Sequence, residues 1–406
     1  MDRTLRTIAV LVTKLPSRPL EAVEHATPML RMPEDRLCRM LAAAGAQQRM
    51  RVVVIDADSC ISLQTGKLVG FELKDGKWKH CSLTDIPTLV YDRSFAASGR
   101  QRLQCRIALR ALKEAGALSL SSGLPGKWTV HQALNSDPLL SSILAPTWLY
   151  RSEELPMRLI HYPQGLFLKP SSGTQGRGAI CVRKDTQGAI TIEGRTRSNR
   201  TFRFTPKDDH QSFRLIDRFI GPRRYLTQPL LPLTDSQGKP HDVRLLVQKN
   251  HRSQWVVTGA VCRIGHVGSV TSNLHGGGTA DRAEARLTQL YGNSKAHTLL
   301  KSIQEAGLRA AGIIEQHFGR FAEFGFDFGL SPDGKLWLLE ANSKPGRQSF
   351  KLIEEEQTER LSYTRLLAYA RKLADCKTPN LYSVNTITRS NRYALFPSDY
   401  VQEVHP

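Results

Sequence analysis

The sequence predicts an α/β and α+β protein: a small parallel α/β domain over residues 1–117, a strand-rich region over 118–350, and a helical extension or tail over 351–406. Three observations lead there. Short β-branched runs alternate with helical spacing in the first part of the chain. Near residue 119 that alternation gives way to strand–loop–strand patterns. Finally, "EFGFDFGLSPDGKLWLLEAN" (323–342) sets two apolar, strand-like runs about a Ser-Pro-Asp-Gly turn. At 406 residues the chain has room for two or three domains, each with its own core.

In order along the chain, "TIAVLV" (7–12) and "MRVVVIDA" (50–57) are runs of the buried-strand type. Between them Leu37, Met40, Leu41 and Ala44 recur at helical spacing after Pro-Glu-Asp. "TLVYDR" (88–93) predicts another strand, followed by a helix with Leu103, Ile107 and Ala111 on its apolar face, ending near Gly116. Strand–helix–strand order at these lengths predicts a parallel sheet. No G-x-G-x-x-G turn is present, which argues against a dinucleotide site. "SSGLPGKWTVHQAL" (121–134) is a turn-rich entry into a helix, with Pro/Ser-rich loops to about 156. Strands dominate 166–272, with a helical interruption near 207–219. Residues 281–318 predict one long helical region, with Leu299, Leu300 and Ile303 on its apolar face, and 362–375 a last helix.

The net charge of +20 points to an anionic partner. It is densest over 195–224, where Arg195, Arg197, Arg200, Arg203, Lys207, Arg214, Arg218, Arg223 and Arg224 meet only Asp208, Asp209 and Asp217. The ordinary explanation is a solvated basic face. No zinc-finger, RRM or KH pattern accompanies it, and no basic helix with interleaved aromatics does. The seven cysteines are odd in number, scattered, and contain no Cys-x-x-Cys pair, which implies reduced thiols rather than a disulfide framework or a zinc ribbon. The first apolar run, "IAVLV" at 8–12, is too short for a signal-peptide core, and no later run reaches spanning length. The expectation is a cytoplasmic protein without a membrane span.

The hairpin raises the chemical question. With Asp333-Gly334 as a two-residue turn, Asp327 falls opposite Glu340, and Glu323, Asp327, Glu340 and Asn342 share one face. A four-residue Ser-Pro-Asp-Gly loop slides the pairing without changing that parity. Like charges side by side on a half-buried sheet need neutralising. A hard divalent cation does this, and Asp, Glu and Asn offer the oxygens suited to Mg²⁺; an arginine partner is the competing explanation. "DFG" at 327–329 lacks the His-Arg-Asp loop a kinase requires. "LFLKPSSGTQGRGAICV" (166–182) runs strand, small-residue loop, strand. Its backbone amides suit phosphate and Lys169 adds a charge, although it is no Walker A loop and a plain flexible turn explains it equally. "HDVRLLVQKN" (241–250) and "QWVVTGAVCRIG" (254–265) carry Arg244 and Arg263 inside apolar strands, where an anionic partner, a structural carboxylate or a triphosphate, is expected. "TSNLHGGGTA" (271–280) adds Asn273 and a further glycine cluster.

Taken together, Lys127 after a Gly-rich entry, Lys-Pro-Ser-Ser-Gly (169–173), Gln228 in "RYLTQPLL", Asp-Val-Arg (242–244), Arg263, Thr-Ser-Asn-Leu (271–274) and Glu-x-Gly-x-Asp…Leu-Glu-Ala-Asn (323–342) resemble the ATP-grasp superfamily. "TLVYDR", "GKWTVHQAL", "DVRLLVQKN" and "LLEANSKPG" resemble its YheC/YheD-type, spore-coat-associated branch. The resemblance spans roughly 7–348; the arginine-rich 193–224 segment departs from it, and the tail after 350 matches less clearly. It implies a pre-ATP-grasp-like N-terminal domain and an ATP-grasp fold with ATP between two antiparallel sheets. In that frame Lys127 and Lys169 contact adenine-side and α/β-phosphate groups, and Gln228 sits at the adenine hinge. Ser172, Gly173 and Gly176 belong to the loop closing over the phosphates. Asp327, Glu340 and Asn342 hold Mg²⁺, with Mn²⁺ as the alternative ion. Arg244 and Arg263, with Asn273, serve the γ-phosphate and the acyl-phosphate.

The resemblance therefore implies an ATP-dependent, ADP-forming ligase that joins a small-molecule or peptide carboxylate to an amine or similar nucleophile. No Ser-His-Asp or Cys-His constellation competes, and His241, His266 and His275 are expected in loops or on the surface. The alternative is an ATP-grasp scaffold serving as a basic binding protein for nucleic acid or an acidic coat or wall polymer. Between them lies a ligase that recruits an acidic polymer or protein through 195–224.

Overall fold

The structure is a computed structural model and describes residues 6–15, 32–61, 68–96, 98–173, 176–267 and 278–376. The first sheet is built from β1 (Arg6–Leu11), β2 (Met50–Ile55), β3 (Leu68–Lys74), β4 (Lys77–Leu83), β5 (Leu89–Asp92) and β6 (Leu118–Ser119), with helices α1 (Asp35–Gln47), α2 (Ala57–Ile61) and α3 (Gly99–Glu114). Its strand order is β4-β3-β2-β1-β5-β6. The β2-β1-β5-β6 part is parallel. Covered on both faces, β1, β2 and β5 read as continuous apolar runs. The antiparallel β3–β4 hairpin extends this sheet and is an addition to the expected parallel core. It turns on Asp75 and Gly76, at φ 51° and 71°, the pair of positive values an Asp-Gly turn supplies.

One expectation about α3 is wrong. Ser98 caps the helix by accepting from the Gln101 amide, but Cys105, Ala108 and Leu112 face the core, while Leu103 and Ile107 are 50% and 59% exposed. Both sets recur at helical spacing. Cys105 and Ala108 are small enough to let α3 lie close against α2 and β5, which the size of Leu103 and Ile107 concealed.

The next stretch supplies α4 (Lys127–Asn135), α5 (Pro138–Ser141), β7 (Trp148–Leu149), α6 (Leu155–His161), β8 (Leu166–Pro170), β9 (Ile180–Lys184), β10 (Ile190–Arg195), β11 (Thr201–Phe204), α7 (Asp209–Ile220) and β12 (Tyr225–Pro229). The strands form a second sheet ordered β11-β10-β9-β8-β12-β7, antiparallel throughout. One face is apolar and packs against α6 and α7 through Leu166, Leu168, Ile180, Val182, Ile192 and Ile216.

A third sheet, ordered β15-β14-β13-β16-β17, is also antiparallel. It comprises β13 (His241–Lys249), β14 (Trp255–Ile264), β15 (Thr279–Arg282), β16 (Glu323–Leu330) and β17 (Leu336–Asn342). The region expected as one helix from 281 is two, α8 (Ala283–Tyr291) and α9 (Asn293–Phe318), because Gly292 at φ 78° leaves the helical conformation. Phe324, Phe326 and Phe328 point from β16 into the core that α9 covers, and Glu323, Gly325 and Asp327 take the other face. After α10 (Gln348–Leu352), α11 (Glu356–Cys376) runs back to the first sheet, where Tyr363, Leu366, Leu367 and Ala370 share a core with β1, β2 and α1.

Candidate active site between two antiparallel sheets

Asp327 lies directly opposite Glu340, as expected, but by another route. The loop is Ser331–Lys335, closed by the Gly334 amide to the Ser331 carbonyl and the Ser331 amide to the Lys335 carbonyl. Leu330 then pairs with Leu336, and that odd-length loop inverts the expected parity. A bulge at Leu339 restores it before Glu340. A bulged residue is left out of the ladder, and here its carbonyl accepts from Lys169 Nζ at 3.4 Å, across from the second sheet.

Asp327 is almost fully buried and accepts from Arg244 through Nε and, at 3.0 Å, Nη2. Arg263 Nη2 lies 3.1 Å from Oδ2, the oxygen that also accepts from Arg244 Nη2, and grips Asp242 at 2.6 Å. Burial pushes the Asp327 carboxyl up, but the two guanidiniums outweigh it and hold it below its ordinary range. Burial likewise works against the charge on Arg263, and Asp242 and Asp327 overcome it. The arginine pairing that competed with a metal is therefore present. Asp242, part of the Asp-Val-Arg motif, has no role of its own in the sequence reading; here it pairs with Arg263.

Glu340 has Lys127 Nζ at 3.5 Å. Lys127 opens α4, and its amide donates to the Ser171 carbonyl at 2.9 Å, tying the helix start to the loop after β8. Lys169 is buried beside Lys127, which lowers its pKa to about 8 against the opposing pull of Glu340 and Asp327. Gln228 Nε2 donates to Thr147 Oγ1 at 2.8 Å. His131, beside Lys169, is held neutral by burial and by that lysine, with its pKa lowered to about 4. These side chains line one cleft, whose apolar wall is Leu124, Val130, Leu134, Leu144, Leu226 and Leu338. Lys127, Lys169, Gln228 and Glu340, nominated from four separate motifs, thus meet there. Thr147 and His131 join them without a sequence signal.

Asn342 follows on the Asp327–Glu340 face, opposite Gly325. Ser172, Gly173 and Gly176 lie in the loop leaving β8, with Gly173 at φ 135° and Gly176 at φ 68°. Asn273 falls outside the described residues. Among the described residues no three His, Cys, Asp or Glu side chains converge as a metal cluster. The candidate donor set is two facing carboxylates, of which Asp327 is already paired with Arg244 and Arg263, and an amide oxygen. Mg²⁺ suits it, since that ion characteristically takes one or two carboxylates and completes its shell with phosphate and water. Glu323, on the same face, belongs elsewhere: it accepts from Tyr91 Oη, from Gln248 Nε2 at 2.9 Å and from Arg347 Nη2 at 2.5 Å.

A family model described as YheC/D-like ATP-grasp matches residues 117–373. Two curated relatives come from Bacillus subtilis (strain 168). Endospore coat-associated protein YheD is 28% identical over 323 residues, covering 78% of this chain and 69% of that protein. Endospore coat-associated protein YheC is 27% identical over 279 residues, covering 68% and 75%. Among solved structures, the D-cycloserine synthetase DcsG superposes with a TM-score of 0.52 at 13% identity, over 90% of this chain and 99% of that one. D-alanyl-alanine synthetase A from Vibrio cholerae O1 biovar eltor str. N16961 gives 0.51 at 14% identity, over 91% and 99%. At such identities the likeness is one of fold.

Proposed function

The chain belongs to the YheC/D-like ATP-grasp family, and from that membership we propose that it is an ATP- and Mg²⁺-dependent ligase, activating a carboxylate as an acyl-phosphate for attack by an amine or similar nucleophile. One observation carries the reading. Lys127 from α4, Lys169 from β8 and Gln228 from β12 meet Glu340 from β17 in a single cleft between the antiparallel sheets. Asp327, Arg244 and Arg263 stand next to it on the third sheet.

The apolar wall takes the adenine, and Gln228, held by Thr147, presents its amide at the rim. Lys169 and Lys127 meet the phosphates, and the loop through Ser172, Gly173 and Gly176 covers them. Asp327, Glu340 and Asn342 would hold the metal, which neutralises phosphate charge as the phosphoryl group transfers. Arg244 and Arg263, preorganised by Asp242, steady the transferring group and the acyl-phosphate. Such a site works by positioning and charge. Asn273 completes this proposed set.

Thermal unfolding with and without ATP plus Mg²⁺ tests the reading, because a ligand that prefers the native state raises the transition temperature. A shift needing both components and lost in Glu340→Gln, together with loss of Mg²⁺-dependent ADP release, is the expected result. Turnover retained in Glu340→Gln removes the metal role.

A second reading, a basic scaffold that binds a polyanion without ligase chemistry, is favoured by one feature. The acids of the 195–224 segment are engaged internally: Asp208 caps α7, Asp209 meets Lys184, and Asp217 accepts from Tyr150 and Ser152. The proposed location is cytoplasmic. All seven cysteines are free, and no helix among the described residues is long and apolar enough to cross a membrane. The relatives' description as coat-associated makes a spore-coat destination the competing proposal.

A further inference from the structure

The cleft-facing side of the second sheet carries basic residues beyond Lys169. Registered partners on neighbouring strands share a face. Lys169 faces the cleft, and so does Phe167, two residues before it. From there the register runs outward from Phe167 to Cys181, Cys181 to Glu193, and Glu193 to Arg203. Arg183 and Arg195 alternate into the same face. Four adjacent strands, β8 to β11, thus each contribute one basic residue to this face: Lys169 and the buried Arg195 lie on one register line two strands apart, Arg203 lies one strand further and two residues along, and Arg183 is offset the other way.

Glu193, the acid within this row, is paired with Arg183. The turn beyond Arg195 adds Arg197 and Arg200, exposed like Arg203 and meeting no carboxylate among the described residues. The row is also fixed to the loop after Lys169. Arg195 exchanges backbone hydrogen bonds with Gly178 and Ala179, and the Arg224 carbonyl accepts from the Ser171 amide. It therefore starts at the nucleotide cleft and ends at an exposed sheet edge.

We infer that the carboxylate activated here belongs to an acidic polypeptide, whose neighbouring Asp or Glu side chains lie along this row. The inference rests on the ligase reading. One requirement of the proposed reaction and one observation favour a polypeptide over nucleic acid. The reaction needs a carboxyl group, which nucleic acid lacks. Phe202 packs against Phe219 of α7, with Phe204 beside it on the face away from the row, so β11 offers bases no stacking platform there. In the reaction, a carboxylate oxygen of the polypeptide attacks the γ-phosphorus and the bond to the β,γ-bridging oxygen breaks, releasing ADP. An amine nitrogen then attacks the acyl carbon, the carbon–oxygen bond to phosphate breaks, and the amine proton passes to solvent.

The test uses poly-L-glutamate, ATP and Mg²⁺, with hydroxylamine as the amine, on the full chain and on a triple variant, Arg197→Glu, Arg200→Glu and Arg203→Glu. None of the three lies in the nucleotide site. Wild type should bind poly-L-glutamate, the more weakly the higher the salt, and form polymer hydroxamate with ADP release at least tenfold above ATP alone. The variant should lose at least tenfold in polymer binding while keeping the wild-type Mg-ATP thermal shift. Polymer binding that survives the three reversals overturns the inference. So does oligothymidylate bound as tightly, with no ADP released on poly-L-glutamate. A wild type with the Mg-ATP shift and no polymer response sinks this inference alone, whereas absence of the shift sinks the ligase reading with it.

Discussion

The two ends of one face of β16 are built from the same ingredients and are enclosed differently. At one end Glu323 is fully buried against Arg347, Gln248 and Tyr91. At the other, Asp327 is nearly as buried against Arg244 and Arg263. The partners of Glu323 come from three bodies: the first sheet, the third sheet, and the segment leading to α11, where Arg347 also donates to Ser362 Oγ. That carboxylate is surrounded. The arginine partners of Asp327 come from the same sheet, and Glu340, its neighbour across the ladder, lines the cleft. A buried carboxylate–guanidinium pair is thus no signature of a site by itself; what matters is what lies beside it.

Breaking the closed end should have the largest effect on stability. Arg347→Met removes one partner of a buried pair and strands Glu323 without its charge, which costs about 3–5 kcal/mol. Chemical denaturation should show that loss, while Mg-ATP still raises the transition temperature of whatever remains folded. A variant of wild-type stability would refute the closed-clasp account. At the open end the ordering reverses. Glu340→Gln should leave denaturation nearly unchanged and lower ADP release by about 10²–10³, as removal of a charge-stabilising group does in preorganised sites.

How much of this was legible depends on how local each signal is. Phe324, Phe326 and Phe328 alternate with Glu323 and Asp327 within one short run, so strand and face could be read from the residues themselves. Lys169, Arg244 and Glu340 each sit in a strand pattern with its own apolar neighbours. The β3–β4 hairpin carried a readable Asp75-Gly76 signal and went unread because its strands are half-polar and lie at an edge. The bulge at Leu339 had no local signal, since the carbonyl it releases is matched by Lys169, 170 residues away. The clasp on Glu323 was hidden for the same reason: Tyr91 is 232 residues distant. On α3, size misled, because the small Cys105 and Ala108 were the ones that fitted.

Gly325 sits between the two ends and couples them. A Cβ there would lie 2.9 Å from Pro345 Cβ and 3.3 Å from Arg244 Cδ. Pro345 belongs to the segment that reaches Arg347, and Arg244 holds Asp327. Gly325→Ala should therefore cost about 1–3 kcal/mol by overpacking and also depress ADP release by moving Arg244. Stability lost with turnover untouched would mean that the two ends are independent.

The smallest expected effect concerns the charge facing Asp327 and Glu340 across the cleft. Burial and Lys127 lower the Lys169 pKa to about 8, whereas in the unfolded chain it is about 10.4. Between those values the unfolded chain binds more protons, so this residue's contribution to stability rises with pH. Phosphate binding needs the charge and should run the other way. ATP affinity in wild type should fall about tenfold between about pH 7 and about pH 9.5, as Lys169 loses its proton in the free protein. Lys169→Arg keeps its charge throughout and should flatten that profile, even if the different reach of a guanidinium weakens binding at every pH. Opposite slopes for stability and affinity would mark Lys169 as a buried charge kept for a ligand, the open-end counterpart of what Arg347 is for the fold. A flat wild-type affinity would assign the phosphates to Lys127 and the arginines, and leave Lys169 as the strut that meets the bulge at Leu339.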